Sequence, residues 1–279
     1  HDFILFFTNQ GRVYWRKTYD IPQGSRQSKG KAIVNLLSLA QNEKVSSFLQ
    51  VKEFDDKMYV VMVTAKGVIK KTNLIEYSRP RSTGVNAITL RDKDELVACK
   101  ITTGKDEIFM ATREGKAIRF REKDVRDMGR TASGVRGMNL GKSDEIVAVE
   151  VVNPKATALT VTQNGFGKKT PFAQYRIQSR GGKGIINVKV SSKNGEVVNV
   201  LTVAEEDEII LVTTGGMVVR CPVNQIRTSG RNAVGVKVMR LHEKDKIASA
   251  TRVVAKDEGG GSASDARQLD LIDGKKGKK

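Results

Sequence analysis

Histidine is nearly missing from this sequence, which contains only His1 and His242. That excludes a His-rich metal centre and leaves a Ser-His-Asp arrangement without a suitable base. His242, in the turn Leu241-His242-Glu243-Lys244-Asp245, reads as solvated. Cysteine is as scarce: Cys99 and Cys221 match no metal or redox spacing and fit a reducing compartment. There is no signal-peptide pattern and no long apolar run, so neither secretion nor a membrane partner is expected. Aromatic residues make up 5%, too few for a series of platforms that stack on unpaired bases. Acidic residues are outnumbered, 31 against 49 lysines and arginines, for a net charge of +18. Such an excess points to a polyanion, DNA or RNA first, over a basic but inert surface.

What the sequence does contain is a repeat. With 39% hydrophobic residues over 279 positions it can bury a core, and the apolar runs recur in register. Thr-x-x-Gly occurs at Thr8–Gly11, Thr64–Gly67, Thr112–Gly115, Thr162–Gly165 and Thr213–Gly216. An apolar run precedes each, and a run studded with cations follows. A second glycine returns at Gly30, Gly84, Gly134, Gly184 and Gly235, with an apolar strand behind it, for instance Ala32–Leu37 or Ile185–Val188. A polar turn then leads to a fourth strand, as at Asp94-Glu95-Leu96-Val97. The acids of that turn read as solvated turn chemistry.

The period is about fifty residues, which signals a propeller or related radial array. Each repeat reads as four short strands: a hairpin, a long loop and a second hairpin. The expected fold is all-β, with five sheets stacked around a common axis over residues 1–254. Residues 255–279, carrying Gly259-Gly260-Gly261-Ser262 and Lys275-Lys276-Gly277-Lys278-Lys279, read as a flexible Gly/Ser and Lys-rich tail.

The cations recur at fixed places. The long loops carry Arg26 and Lys29, Arg79 and Arg81, Arg126 and Arg130, Arg176, Arg180 and Lys183, and Arg227 and Arg231. The first hairpins add Arg16 and Lys17, Lys70 and Lys71, Arg119 and Arg121, Lys168 and Lys169, and Arg220. If the repeats are radial, these should form a belt suited to phosphate oxygens. The richest stretch is Gln178-Ser179-Arg180-Gly181-Gly182-Lys183-Gly184, where glycines would let a nucleic-acid backbone approach. It is not a Walker loop, because Gly184 stands where Ser or Thr would hold Mg²⁺. With few aromatics and no core helix for a groove, duplex DNA bound largely without sequence preference is the expected ligand. The alternative from a different class is a protein-interaction scaffold whose charge is incidental.

Thr-Asn-Gln-Gly-Arg-Val-Tyr at 8–14, Gly30 to Leu37, Thr131 to Leu140 and Gly230 to Leu241 resemble the C-terminal domain of the DNA gyrase A protein. The resemblance covers essentially residues 1–254. It implies a β-pinwheel, a propeller-like array of four-stranded blades that exchange strands, with about six blades in a full domain. It further implies wrapping of duplex DNA around a basic rim, to present a segment for ATP-dependent negative supercoiling. The implied partners are DNA, the N-terminal breakage-reunion domain of the same polypeptide, and the gyrase B protein in an A2B2 holoenzyme in the bacterial cytoplasm. ATP and Mg belong to that holoenzyme; no cofactor or catalysis is expected of this chain alone, which should be monomeric. The topoisomerase IV counterpart is the runner-up. Two departures stand out. The family's Gln-Arg-Arg-Gly-Gly-Lys-Gly box belongs to its first blade, whereas Gln178 to Gly184 lies in the fourth repeat with Ser179 for an arginine. His1 reads as following a cut behind that first box. The family's tails are often acidic, and this one ends in lysines.

Overall fold

The computed structural model describes residues 2–23 and 32–254. Arg26, Lys29 and the expected tail lie outside the described residues. In chain order the strands are β1 (Phe3–Thr8), β2 (Arg12–Lys17), β3 (Val45–Val51), β4 (Tyr59–Thr64), β5 (Val68–Asn73), β6 (Val85–Asn86) and β7 (Leu96–Thr102). There follow β8 (Glu107–Thr112), β9 (Lys116–Arg121), β10 (Val135–Arg136), β11 (Ile146–Val151), β12 (Thr157–Thr162) and β13 (Phe166–Pro171). The last are β14 (Ile185–Ile186), β15 (Val197–Val203), β16 (Glu208–Thr213), β17 (Val218–Pro222), β18 (Val236–Lys237) and β19 (Ile247–Val253). Among the described residues only short 3-10 turns interrupt them, so the fold is all-β.

The chain divides into two compact units, His1–Gly104 with Val125–Arg136, and Lys105–Asp124 with Gly137–Lys279. The first holds sheets ordered β3-β1-β2-β6 and β10-β5-β4-β7. Phe7, Trp15, Leu49, Met62, Tyr77 and Ile101 belong to one core between them, and Phe6, Tyr14 and Leu37 form a smaller second cluster. The second holds β11-β8-β9-β14, β15-β12-β13-β18 and the three-stranded β17-β16-β19. Two of its clusters are built around Phe109, Phe172 and Tyr175, and around Leu159, Ile209 and Leu211.

Strand exchange follows from the pairing. β6, β10, β14 and β18 each belong to one repeat and pair with the second hairpin strand of the repeat before, as Val135 does with Ile69 and Ile185 with Ala117. A two-residue strand buries little by itself, so it depends on this borrowed edge. The first repeat supplies the exception. Ala32–Leu37, expected as a strand, forms a 3-10 turn at Ile33–Asn35. Val34 within it is 59% exposed.

The Thr-x-x-Gly landmark closes every hairpin. The glycine amide donates to the threonine carbonyl at 2.9–3.2 Å in all five. In four of them the threonine Oγ1 accepts from the amide after the glycine. Opposite the threonine, the last strand of each repeat carries one extra residue, a bulge that shifts its register. The turn before the last strand of a repeat is less solvated than expected. Asp94 and Asp144 are buried. Their Oδ1 atoms accept from the turn amides of Lys66 and Glu114, both at 2.9 Å. Glu43 does the same work through the Thr8 hydroxyl, and Asp245 through Thr214 and Gly215. Hydroxyl hydrogen bonds from Thr213 and Thr214 hold the Asp245 carboxyl down at about 2.

Candidate nucleic-acid interface

Where each expected cation goes is decided by its place on the hairpin. In the second and fourth repeats the residues third and fourth after the Thr-x-x-Gly glycine are lysines on a strand covered on both faces, and there charge is buried. Lys70, Lys71, Lys168 and Lys169 are all buried, which removes them from any phosphate-facing set. The Lys168 ammonium donates to the carbonyls of Asn187, Gly230 and Arg231 at 2.7, 2.8 and 2.6 Å. Lys70 donates to Ala87 O at 2.5 Å and also to Arg130 O. Lys71 lies 5.0 Å from the centre of the Tyr59 ring, and Lys169 pairs with Glu205. Burial pushes Lys70 down to about 7 and Lys168 to about 8, with Arg130 and Arg231 adding repulsion.

Arg119 is likewise committed to packing. Its Nε donates to Glu107 at 2.7 Å, and its Nη1 to the carbonyls of Phe172 and Tyr175 at 2.7 and 3.2 Å. The place of Arg119 is taken in the first repeat by Trp15, whose indole donates to Tyr77 O at 2.8 Å. A tie between repeats is the common role. Arg16 is half-buried against Leu36 O, while Lys17 is exposed beside the Phe3 and Tyr19 rings. Arg121 and Arg220 are exposed, the latter paired with Glu208.

The long loops fare differently. Three of them run beside the second hairpin strand of the preceding repeat through a parallel bridge: Asp127 to Lys71, Ile177 to Arg119, and Thr228 to Lys169. The residue before each bridge is an exposed arginine, Arg126, Arg176 or Arg227. Arg79, Arg81 and Lys183 are exposed as well. Four residues after each of the three comes a half-buried arginine. Arg130 sits 3.9 Å from Glu76, Arg180 donates to Asp124 O at 3.0 Å, and Arg231 to Ile186 O at 2.8 Å. Lys237 and Arg240, exposed in and just behind β18, add two cations that the loop pattern in the sequence does not single out. Lys237 is marked by its outward place beside Val236 in the strand; Arg240 carries no such mark.

The Gln178–Gly184 loop is held by its backbone. Gln178 N donates to Arg119 O and Gly181 N to Gly137 O, both at 2.7 Å, while Gly182 O accepts from Asn139 N at 2.9 Å. These bonds set the course of the loop, and no helix follows it among the described residues. Gly184 has φ +71°, and a Cβ there would stand 2.6 Å from Ala117 O. Close packing on the preceding hairpin, and not approach by a ligand, therefore requires that glycine. Gly182 is different: a Cβ would meet nothing nearer than 3.6 Å. Among the described residues no group of His, Cys, Asp and Glu side chains could hold a metal. Tyr14, Tyr77 and Tyr175 are buried, and burial raises the hydroxyl pKa of each.

Five segments of the chain, residues 2–52, 59–103, 106–153, 157–204 and 207–253, match the family model described as DNA gyrase C-terminal domain, beta-propeller. The chain belongs to that family. Each match spans one repeat, so the repeated sheets are propeller blades. The DNA gyrase A protein of Salmonella typhimurium is 42% identical over 274 residues, 98% of this chain and 30% of that protein. The chain thus spans about a third of the length of such relatives. A solved DNA gyrase A C-terminal domain is similar with a TM-score of 0.80 and 28% identity, over 90% of this chain and 82% of that one. A DNA topoisomerase IV C-terminal domain gives a TM-score of 0.83 and 27% identity, over 92% and 80%.

Proposed function

We propose that this chain is a duplex-DNA-binding domain of a bacterial type II topoisomerase. The observation that carries the reading is the recurrence of one exposed arginine, Arg126, Arg176 and Arg227, at one bridge position in three loops. Such loops, with Arg79, Arg81, Lys183 and the half-exposed Arg130, Arg180 and Arg231, offer guanidinium and ammonium donors to phosphate oxygens without reading bases. Contact with successive phosphates on several repeats would bend the duplex along the protein. Bending a 20–30 bp site by 40–90° costs roughly 1–6 kcal/mol, which several spaced contacts offset better than a single patch does.

In the complete enzyme the domain would work beside the breakage-reunion domain of its own polypeptide and the gyrase B protein, in the bacterial cytoplasm. ATP and Mg would be used by those parts, and the chain by itself would show no topoisomerase, nuclease or ATPase activity. The likeness to the topoisomerase IV domain supports a second reading, recognition of DNA geometry without wrapping. One experiment separates the two. Circular DNA is relaxed by an independent topoisomerase in the presence of the protein, and the supercoils left after its removal are counted. Wrapping leaves supercoils of one sign in proportion to bound protein. Tight binding that leaves none contradicts wrapping, and absence of binding contradicts the whole reading.

A further inference from the structure

Two lysines of the hairpins reach no solvent, yet they touch the loops that carry the exposed arginines. We propose that Lys70 and Lys168 are positioning residues for DNA binding, each holding an arginine-bearing loop of the next repeat by its carbonyl oxygens and coupling DNA binding to proton uptake. The inference rests on the duplex-DNA reading above.

The geometry is the same at both places. Each ammonium joins two pieces of backbone. One is the residue after a two-residue strand, Ala87 O for Lys70 and Asn187 O for Lys168; the other is the next repeat's loop, Arg130 O for Lys70 and Gly230 O with Arg231 O for Lys168. The loop carbonyls belong to the half-buried arginines or their immediate neighbour. Fixing the carbonyl fixes the Cα from which the guanidinium departs. It also turns negative carbonyl dipoles inward, where they would otherwise face a phosphate. Three acceptors around Lys168 match the three protons of an ammonium, and a neutral amine would leave one carbonyl unsatisfied.

The fold itself does not need the amine. The residue in the same place is Ile118 in the third repeat and Val219 in the fifth. Gly182 of the following loop lies over Ile118 without any such bond. A buried cation under a basic loop is costly, and the structure carries it twice.

The cost makes the site responsive. Arg130, Cys99 and Glu76 are the ionisable groups acting on Lys70, and Arg231 acts on Lys168. A phosphate brought against the loop adds negative charge, offsets the arginine, and favours the protonated amine. Solvent supplies the proton and Nζ receives it. If DNA raises each pKa by about one unit, affinity falls by about tenfold per lysine as pH rises through 7 to 9.

The test uses the complete chain, a 40-bp duplex and the Lys70→Ile and Lys168→Ile variants, which borrow the residue of the third repeat. The expected result is folding at least as stable as the parent's, duplex binding weaker by about tenfold per variant, loss of that lysine's share of the pH dependence, and faster amide exchange at 129–134 or 230–235 respectively without DNA. Unchanged affinity and pH dependence in both variants overturns the proposal. Should the variants not fold, ¹³C-lysine spectra of the parent decide. Two ammonium groups titrating below the ordinary lysine range and moving up with DNA support it; none doing so overturns it. If the parent binds no duplex, the DNA reading fails, while amide exchange in DNA-free protein still tests the positioning role.

Discussion

The loops at 126–134 and 176–184 are built alike and stand on different floors. Each runs parallel to a hairpin strand, opens on an exposed arginine and ends on a glycine with positive φ packed against a backbone carbonyl. Beneath the first lies the Lys70 ammonium; beneath the second lies Ile118, with Arg119 beside it bonded to Phe172 O and Tyr175 O. The difference teaches that the third hairpin position can hold a buried lysine or an aliphatic residue under the same kind of loop, whereas the arginine that opens the loop faces solvent in both. Adjacent lysines in a strand are not thereby a binding patch.

The comparison can be broken most sharply at the glycines. Gly184→Ala should destabilise the protein by more than about 2 kcal/mol in urea denaturation, since positive φ and the Ala117 carbonyl both oppose a side chain. Gly182→Ala should stay within about 0.5 kcal/mol, and a lower DNA affinity in that variant would report close phosphate approach. Next in size is Arg119→Ala, expected to cost about 2 kcal/mol because two carbonyls and Glu107 lose a charged donor.

Lys70→Ile tests the other floor through pH. The folded lysine titrates at about 7 against an ordinary 10.5. Between those values the unfolded chain binds more protons, so this group makes stability rise with pH across the window. The variant should lack that part of the rise when urea midpoints are compared at pH 7 and 10. Smaller still, Lys183→Ala and Arg176→Ala should each weaken duplex binding a few-fold and reduce the salt slope by about one. Arg220→Ala removes an exposed ion pair with Glu208 and should alter stability by less than about 1 kcal/mol.

The repeat, its hairpins and the all-β class are legible because threonine, glycine and apolar runs recur in register, and the turn bonds require those residue types. Strand exchange is legible only through family resemblance, since Val135-Arg136 carries no mark of pairing with Val68-Ile69. The short strand expected at Ala32–Leu37 forms a 3-10 turn instead, and nothing in its own composition sets it apart from Ile185–Val188. The interface is half legible. Loop arginines such as Arg126 and Arg227 are exposed as a glycine-rich basic loop suggests. Lys168 and Lys169 go against expectation, because alternation on a strand with both faces covered buries charge as readily as it exposes it. Asp94 and Asp144 do so for the converse reason: a polar turn looks solvated until the amides it caps are seen.

Duplex binding by loop cations is tested most directly by the affinity of one arbitrary duplex and one scrambled duplex across a salt series. With about six phosphates neutralised, log affinity should fall linearly with log salt at a slope near −5, equally for both sequences, on the order of 10³-fold between about 50 and 200 mM. A flat response, or binding confined to one of the two sequences, contradicts it.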